Sequence, residues 1–218
     1  MNEESSSHLQ KPYAKTWKSV KSVAFYAKSR YRNIDQKYVS WRETAIINRF
    51  LKSIDTMTDR SILDVPTGYG RFTQTFLEND LDITSADLNL YALMYQRQRY
   101  LETSNIAVSD VFNLPFRDEQ FNIVFNFRLL QHFQSRSARL QIVDELRRVS
   151  SRWLIMSVYV RSKMHTVVRQ ISSRPKRIWM ADLKLLKNDI NKAGFRIAAI
   201  KSIIPYLHAQ RILLLEKR

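Results

Sequence analysis

From residue 61 onward the chain alternates short apolar runs with helical stretches, and this alternation admits few folds. The runs Ser61–Val65, Asp82–Ala86, Ile106–Ser109, Phe121–Phe125 and Arg152–Tyr159 read as strands. Between them, Phe72–Glu78, Leu90–Leu101 and Ser137–Val149 carry helical spacing. Apolar strands alternating with helices mean βαβ units and a parallel sheet covered on both faces. Ala181–Lys192 reads as one more helix, with Leu183, Leu186 and Ile190 on one face and Gly194 just past its end. Phe195–Ile203 and Ile212–Lys217 then form a pair around Pro205, a hairpin that sets the last strand antiparallel to its neighbour. The expected class is α/β.

Upstream, residues 11–52 read as helical, with a break at Asn33-Ile34-Asp35 and a second helix over about 39–53. Ser40, with Glu43 three residues on, predicts a capping box for that helix. Residues 1–10 are Glu/Ser-rich and predict a disordered tail. The expected organisation is therefore a tail (1–10), a basic helical extension or lid (11–55) and one α/β domain (56–218) carrying a basic insertion at 160–180.

The charge distribution follows this division. The chain has a formal net charge of +16. Residues 11–60 hold 12 basic and 4 acidic residues, residues 160–180 hold 6 basic and none acidic, and residues 61–159 balance 10 against 11. Such flanks attract anionic partners: phosphate, nucleic acid, an acidic glycolipid or a membrane surface. No cysteine is present, which excludes disulfides, thiol nucleophiles and thiolate metal sites. Four scattered histidines make no metal site. No run of about 18 apolar residues and no secretory leader is apparent, so the expected location is cytoplasmic, with a peripheral membrane position open.

Three acids fall at the ends of the first three strands, at equal intervals of 23 residues: Asp64, Asp87 and Asp110. In an open α/β sheet, ligands bind outside the carboxyl ends of the strands, where strand order reverses. Two of the three glycines in the whole chain, Gly68 and Gly70, follow the first acid and permit a sharp turn with close backbone approach. A carboxylate at Asp87 suits the two hydroxyls of a ribose, one at Asp110 an exocyclic amine, and one at Asp64 a cationic amino group. Each acid taken alone reads equally well as a cap or turn former. Together they describe a site for a nucleoside with a positively charged tail.

The stretches DVPTGYGRF, SADLN and SDVFNLPFRDEQFNIVF resemble the class I S-adenosylmethionine (SAM)-dependent methyltransferases, the type 11 group in particular. The resemblance implies a Rossmann-like, seven-stranded, mostly parallel sheet with an antiparallel last strand and helices on both faces. It implies SAM as cofactor and S-adenosylhomocysteine (SAH) as product. Carried over, Asp64, Pro66, Thr67, Gly68, Gly70 and Arg71 surround the methionine part; Asp87 takes the ribose; Leu88, Asp110, Val111 and Phe112 meet the adenine. Asn126, opening the NFRLLQH stretch after the fourth strand, faces the cofactor. The chain departs from the pattern at Pro66, where the family has glycine, at Thr67 and Tyr69, where it has small residues, and at Asn122, where it has aspartate. Proline removes an N–H donor from the turn.

Methyl transfer needs alignment, exclusion of water and sometimes proton removal. His132 is the candidate base, with a packing or helix-start role equally open. Arg128 is a candidate contact for an anionic substrate, or the partner of a carboxylate. Trp17, Phe25, Tyr26, Tyr31 and Arg32 predict a lid over the crevice, or anchors to the sheet. The expected acceptor is an O or N of an anionic small molecule, glycan or lipid-linked compound, by analogy with bacterial relatives. An RNA methyltransferase and a non-catalytic, cofactor-binding scaffold are the alternatives. A nicotinamide dehydrogenase is disfavoured, because Thr73 stands where a third glycine is needed.

Overall fold

A computed structural model describes residues 17–54, 60–100, 104–161, 178–205 and 208–218. Seven strands form one sheet: β1 (Ser61–Asp64), β2 (Asp82–Asp87), β3 (Ser104–Val108), β4 (Phe121–Asn126), β5 (Ser150–Tyr159), β6 (Phe195–Ser202) and β7 (Gln210–Lys217). The helices are α1 (Val20–Ser29), α2 (Ile34–Ser53), α3 (Thr73–Leu77), α4 (Leu90–Arg99), α5 (Arg136–Val149) and α6 (Leu183–Lys192).

The strand order is β3-β2-β1-β4-β5-β7-β6. The first five strands run parallel, and β7 enters antiparallel between β5 and β6. The expected Rossmann-like, mostly parallel sheet with its antiparallel final strand is therefore present. The chain leaves β1 towards β2 on one side and returns to β4 on the other, so the carboxyl ends of β1 and β4 flank a topological switch point. Asp64 pairs in register with Ser85 on β2 and Phe125 on β4, which sets the β1 acid level with its neighbours at the crevice.

Two apolar layers hold the sheet, because strands buried on both faces have side chains to give each way. On one face Leu63, Val124, Leu154 and Leu213 pack with Ile142, Val143 and Leu146 of α5 and Leu186 and Ile190 of α6. On the other, Ile62, Ile83, Ile123 and Ile155 pack with Ile46, Ile47, Phe50 and Leu51 of α2 and Phe76 of α3. Each such buried side chain contributes about 1.5–3 kcal/mol relative to exposure. An aromatic cluster in the second layer sits beside the crevice. Phe72 meets Phe125 and Phe127 edge-on at 5.1 and 4.8 Å, and Phe125 stacks on Phe127 at 5.5 Å. It ties the residue after the glycine turn to the end of β4. α1 packs on α4.

The N-terminal helices differ from expectation in one instructive way. α2 starts at Ile34 behind the extended Asn33, so Ser40 and Glu43 lie inside it and form no cap. A true capping box occurs instead at Ser19 and Ser22 of α1. The break falls earlier than the Asn33–Asp35 triplet, at residues 30–33, and Asp35 already sits in the first helical turn, where an acid complements the helix dipole. α1 opens only at Val20, with residues 17–19 non-helical although helix is expected from residue 11; from residue 61 onward the boundaries shift by at most two residues, and α4 closes at Arg99. The expected tail 1–10 and most of the 160–180 insertion lie outside the described residues.

Candidate active site

A cleft of about 460 Å3 opens at the carboxyl ends of β1 and β4. That size is within the usual range for small-molecule and cofactor sites. Its floor is the turn after β1. Val65 donates its N–H to Phe125 O (2.9 Å) and Thr67 to Ala86 O (2.9 Å), so the turn is stitched to strands on both sides. Pro66, preceded by a cis peptide bond, stands between these two bonded residues and lines the cleft. Its missing N–H thus leaves both flanking sheet bonds intact.

Gly68 and Gly70 have φ of +58° and +73°, values costly for residues with a Cβ. At Gly70 space forbids one as well. A Cβ there would stand 2.7 Å from Cγ of Gln96 and 2.9 Å from Oγ1 of Thr73. Gln96, fully buried on α4, donates to Thr73 Oγ1 and Ser85 Oγ (2.7 Å each), and its Oε1 lies 3.1 Å from Thr67 Oγ1. The side chain therefore holds the glycine turn from behind.

Asp87 closes one end of the cleft. Its Oδ2 accepts from the N–H of Gly68 and its Oδ1 from the N–H of Asn89, both at 2.8 Å. Burial raises its pKa, and the backbone donors at Asn89, Gly68 and Leu88 oppose that rise. Asn89 caps α4 through Oδ1 and donates from Nδ2 to the carbonyl of Trp17 (3.0 Å), which pins the segment just before α1 over the site. Asp64 is buried and accepts from Thr67 Oγ1 at 2.8 Å. Burial pushes its pKa up to about 8; the Thr67 hydroxyl opposes the rise and the Asp87 charge adds to it. The Asp64 carboxyl is thus largely protonated at pH 7.

The opposite end is cationic and aromatic. Glu43 is fully buried between two arginines: Oε2 takes Arg71 Nη2, and Oε1 takes Arg128 Nη2 at 2.6 Å. Arg71 follows the glycine turn, and its guanidinium lies 4.5 Å from the ring centres of both Tyr31 and Phe72. Arg71 also reaches Ser40 Oγ (3.1 Å). Arg128, at φ +57°, donates its N–H to Ser157 Oγ (2.7 Å) and its Nη1 to Tyr31 Oη (3.1 Å). Burial disfavours the Arg128 charge, but Glu43 and the hydroxyls of Tyr31 and Tyr159 outweigh that and raise its pKa. Of the two roles open to Arg128, it takes the carboxylate pairing. Arg30 also lines the cleft and makes no ion pair among the described residues.

Of the site residues expected from sequence, Asp64, Pro66, Thr67, Gly68, Arg71, Asp87, Arg128 and His132 line this cleft. Gly70 stands behind the turn. Leu88 is half-buried next to Asp87. Asp110 follows β3 and accepts from the N–H of Phe112 (3.1 Å), Val111 is buried in the core, and Phe112 packs edge-on against Phe133. This trio lies beyond the cleft lining. Asn126 is fully buried and donates to Val65 O (2.8 Å), bracing β4 against the turn. His132 sits on a 3-10 turn (Leu130–His132), with Nε2 3.2 Å from the side-chain amide nitrogen of Gln131. Desolvation lowers its pKa, so the ring is neutral at pH 7. Of the expected lid, Trp17, Tyr26 and Tyr31 line the cleft, while Phe25 and Arg32 face solvent. Glu43, Tyr69, Asn89, Gln96 and Tyr159 were not expected at the site. Glu43 carried a signal, one of only two acids in a basic helix, but it reads locally as a cap. Among the described residues, no cluster of His, Cys, Asp and Glu is arranged to hold a metal ion.

Residues 63–152 match the family described as methyltransferase domain. No curated protein sequence matches the chain significantly. Among solved structures, the magnesium protoporphyrin IX methyltransferase (ChlM) of Synechocystis PCC 6803 with bound SAH aligns with TM-score 0.70 at 14% identity, over 85% of this chain and 88% of that one. The 1,6-didemethyltoxoflavin-N1-methyltransferase of Burkholderia thailandensis aligns at 0.57 with 16% identity, over 85% and 90%. The [4+2]-cyclase SpnF aligns at 0.62 with 16% identity, over 78% and 79%. Residues 63–152 thus match a methyltransferase domain, and the sheet that holds them shares its fold with these solved structures.

Proposed function

We propose that the protein transfers a methyl group from SAM to an oxygen or nitrogen of an anionic acceptor. The observation that carries this reading is the convergence of Asp64, the Gly68 turn and Asp87 on one cleft at the switch point. The residues present fit such a cofactor. Gly68 offers an uncrowded backbone: among the described residues, a Cβ there would meet only Trp17, at an ordinary contact distance of 3.8 Å. Asp87 presents a buried carboxylate suited to ribose hydroxyls. Asp64, buried with one hydroxyl donor among the described residues, suits the ammonium of the methionine part, whose charge would favour the ionised carboxylate that burial disfavours. Pro66, Thr67, Gly70 and Arg71 shape that end, and Leu88 is assigned to the adenine side; Asp110, Val111, Phe112 and Asn126 stand outside the cleft lining.

When bound, SAM supplies an activated methyl on a sulfonium leaving group. The chain's own residues orient, exclude water and manage charge. Trp17, Tyr26 and Tyr31 cover the cleft, and their apolar surface favours a dry reaction site. Neutral His132 accepts a proton from an acceptor O–H or N–H. Arg30, without an ion-pair partner among the described residues, steers an anionic group of the acceptor. The alignment with a [4+2]-cyclase is a reminder that this fold supports other chemistry, so the cofactor claim is tested first. Isothermal titration with SAH on wild type and Asp87→Ala is the test. Micromolar binding by wild type, lost in the variant, is expected; absence of wild-type binding overturns the proposal.

A further inference from the structure

We propose that the exposed face of α2 docks the protein on an anionic lipid bilayer. Ile34, Tyr38 and Trp41 recur at i, i+4 and i+7, so they form one stripe along the helix. They are 86%, 47% and 61% exposed. The buried residues of the same helix, Glu43, Ile46, Ile47 and Phe50, lie on the opposite face. The first two turns of α2 thus present apolar side chains away from the domain core, with the two rings of Tyr38 and Trp41 5.8 Å apart.

Basic residues border the stripe. Lys37 flanks one side; Arg42 and Arg49 flank the other, and Lys52 continues its line. Arg42 is fixed by its Nε–H to Ile203 O (3.1 Å), and its guanidinium lies 5.9 Å from the Trp41 ring. Residues 17–54 hold nine basic and two acidic residues, and one of those acids, Glu43, is buried. An apolar stripe of Trp, Tyr and Ile with a basic border is the pattern of a helix that lies in the plane of a membrane interface. Among the described residues no helix is long and apolar enough to cross a bilayer, so the helix lies on the surface.

Charge complementarity selects an anionic surface. The stripe's leading residue separates lipid from nucleic acid. Tyr38 and Trp41 are able to stack on bases, but Ile34, the most exposed large apolar residue of the three, gains nothing from a phosphodiester backbone. In an acyl boundary it is buried.

The test is co-sedimentation of the full chain with phosphatidylcholine vesicles, with and without phosphatidylglycerol. Wild type, Ile34→Ser and Ile34→Ser/Trp41→Ser are compared. Binding to the phosphatidylglycerol vesicles is expected, weakened by salt. The double variant loses about tenfold or more in affinity, since two apolar side chains forfeit their burial. Ile34→Ser, at a site too exposed to affect folding, shows a smaller loss in the same direction. Unchanged thermal melting shows the variants to be folded. No binding to anionic vesicles overturns the proposal, as does vesicle binding indifferent to both substitutions. A stripe-dependent affinity for a single-stranded RNA oligomer that exceeds the vesicle affinity overturns it in favour of nucleic acid. Self-association abolished by the double variant, without vesicle binding, overturns it in favour of a second copy of the chain.

Discussion

Replacing Glu43 by alanine removes the single carboxylate shared by two guanidinium groups, at the point where the N-terminal extension meets the cleft. Glu43 is fully buried, while the Arg71 and Arg128 side chains are 12% and 20% exposed. At an effective dielectric of about 20, each contact pair attracts by roughly 4 kcal/mol before desolvation is subtracted. Removing one partner of a buried pair costs about 3–5 kcal/mol, because the remaining charge stays buried without compensation. Here two charges are stranded, and Nε and Nη1 of Arg71 already lack hydrogen-bond partners among the described residues. The rings of Tyr31 and Phe72 retain part of the Arg71 interaction, so the lower half of the range applies even with two arginines affected. A loss of about 4 kcal/mol lowers Tm by about 8–16 °C for a chain of this size. Urea unfolding followed by circular dichroism measures the loss, and SAH titration measures its effect on the glycine turn that Arg71 follows. Glu43→Gln, which keeps one acceptor, loses less. A Glu43→Ala variant within about 1 kcal/mol of wild type, below the range for breaking a buried pair, refutes the reasoning.

Other consequences follow from the turn and its acids. Gly70→Ala places a Cβ 2.7 Å from Gln96 Cγ at a φ of +73°, so a loss of about 2 kcal/mol or more is expected by urea denaturation, the left-handed conformation alone costing about 1–2. Asp64 has its pKa raised to about 8 by burial, above the unfolded value near 3.8, so its contribution to stability is complete below about pH 4 and is lost as pH rises towards 8. Asp64→Asn flattens that part of the stability–pH curve; an unchanged slope contradicts the assignment. His132→Ala lowers turnover with little change in SAH affinity, and the wild-type rate falls below the lowered imidazole pKa as the ring protonates. Unchanged turnover removes His132 as base.

Much of this architecture is legible locally. The parallel strands announce themselves through short apolar segments buried on both faces: Ile62-Leu63 in SILD, Ile83 and Ala86 in DITSAD, and Ile123 to Phe125 in FNIVFN. The acids at the ends of β1 and β2 are visible for the same reason: they interrupt apolar runs where the sheet stops. What is not local is not legible. Glu43 looks like a cap because its partners lie 28 and 85 residues away. Gln96 looks like a surface residue of a polar helix, yet it reaches three strand and turn side chains from behind the glycine turn. The place of β7 between β5 and β6 is a tertiary fact too. A hairpin pattern gives the antiparallel pairing, but the side on which it inserts is set by the layers that cover it.

The central claim is that the cleft between β1 and β4 receives a nucleoside cofactor. Hydrogen–deuterium exchange with and without saturating SAH tests it at the residues concerned. Slowed exchange is predicted at the amides of 64–72 and 86–89, with the far edge at β6 unchanged. Binding of SAH that leaves these two segments unprotected, or protects only other surfaces, contradicts the account.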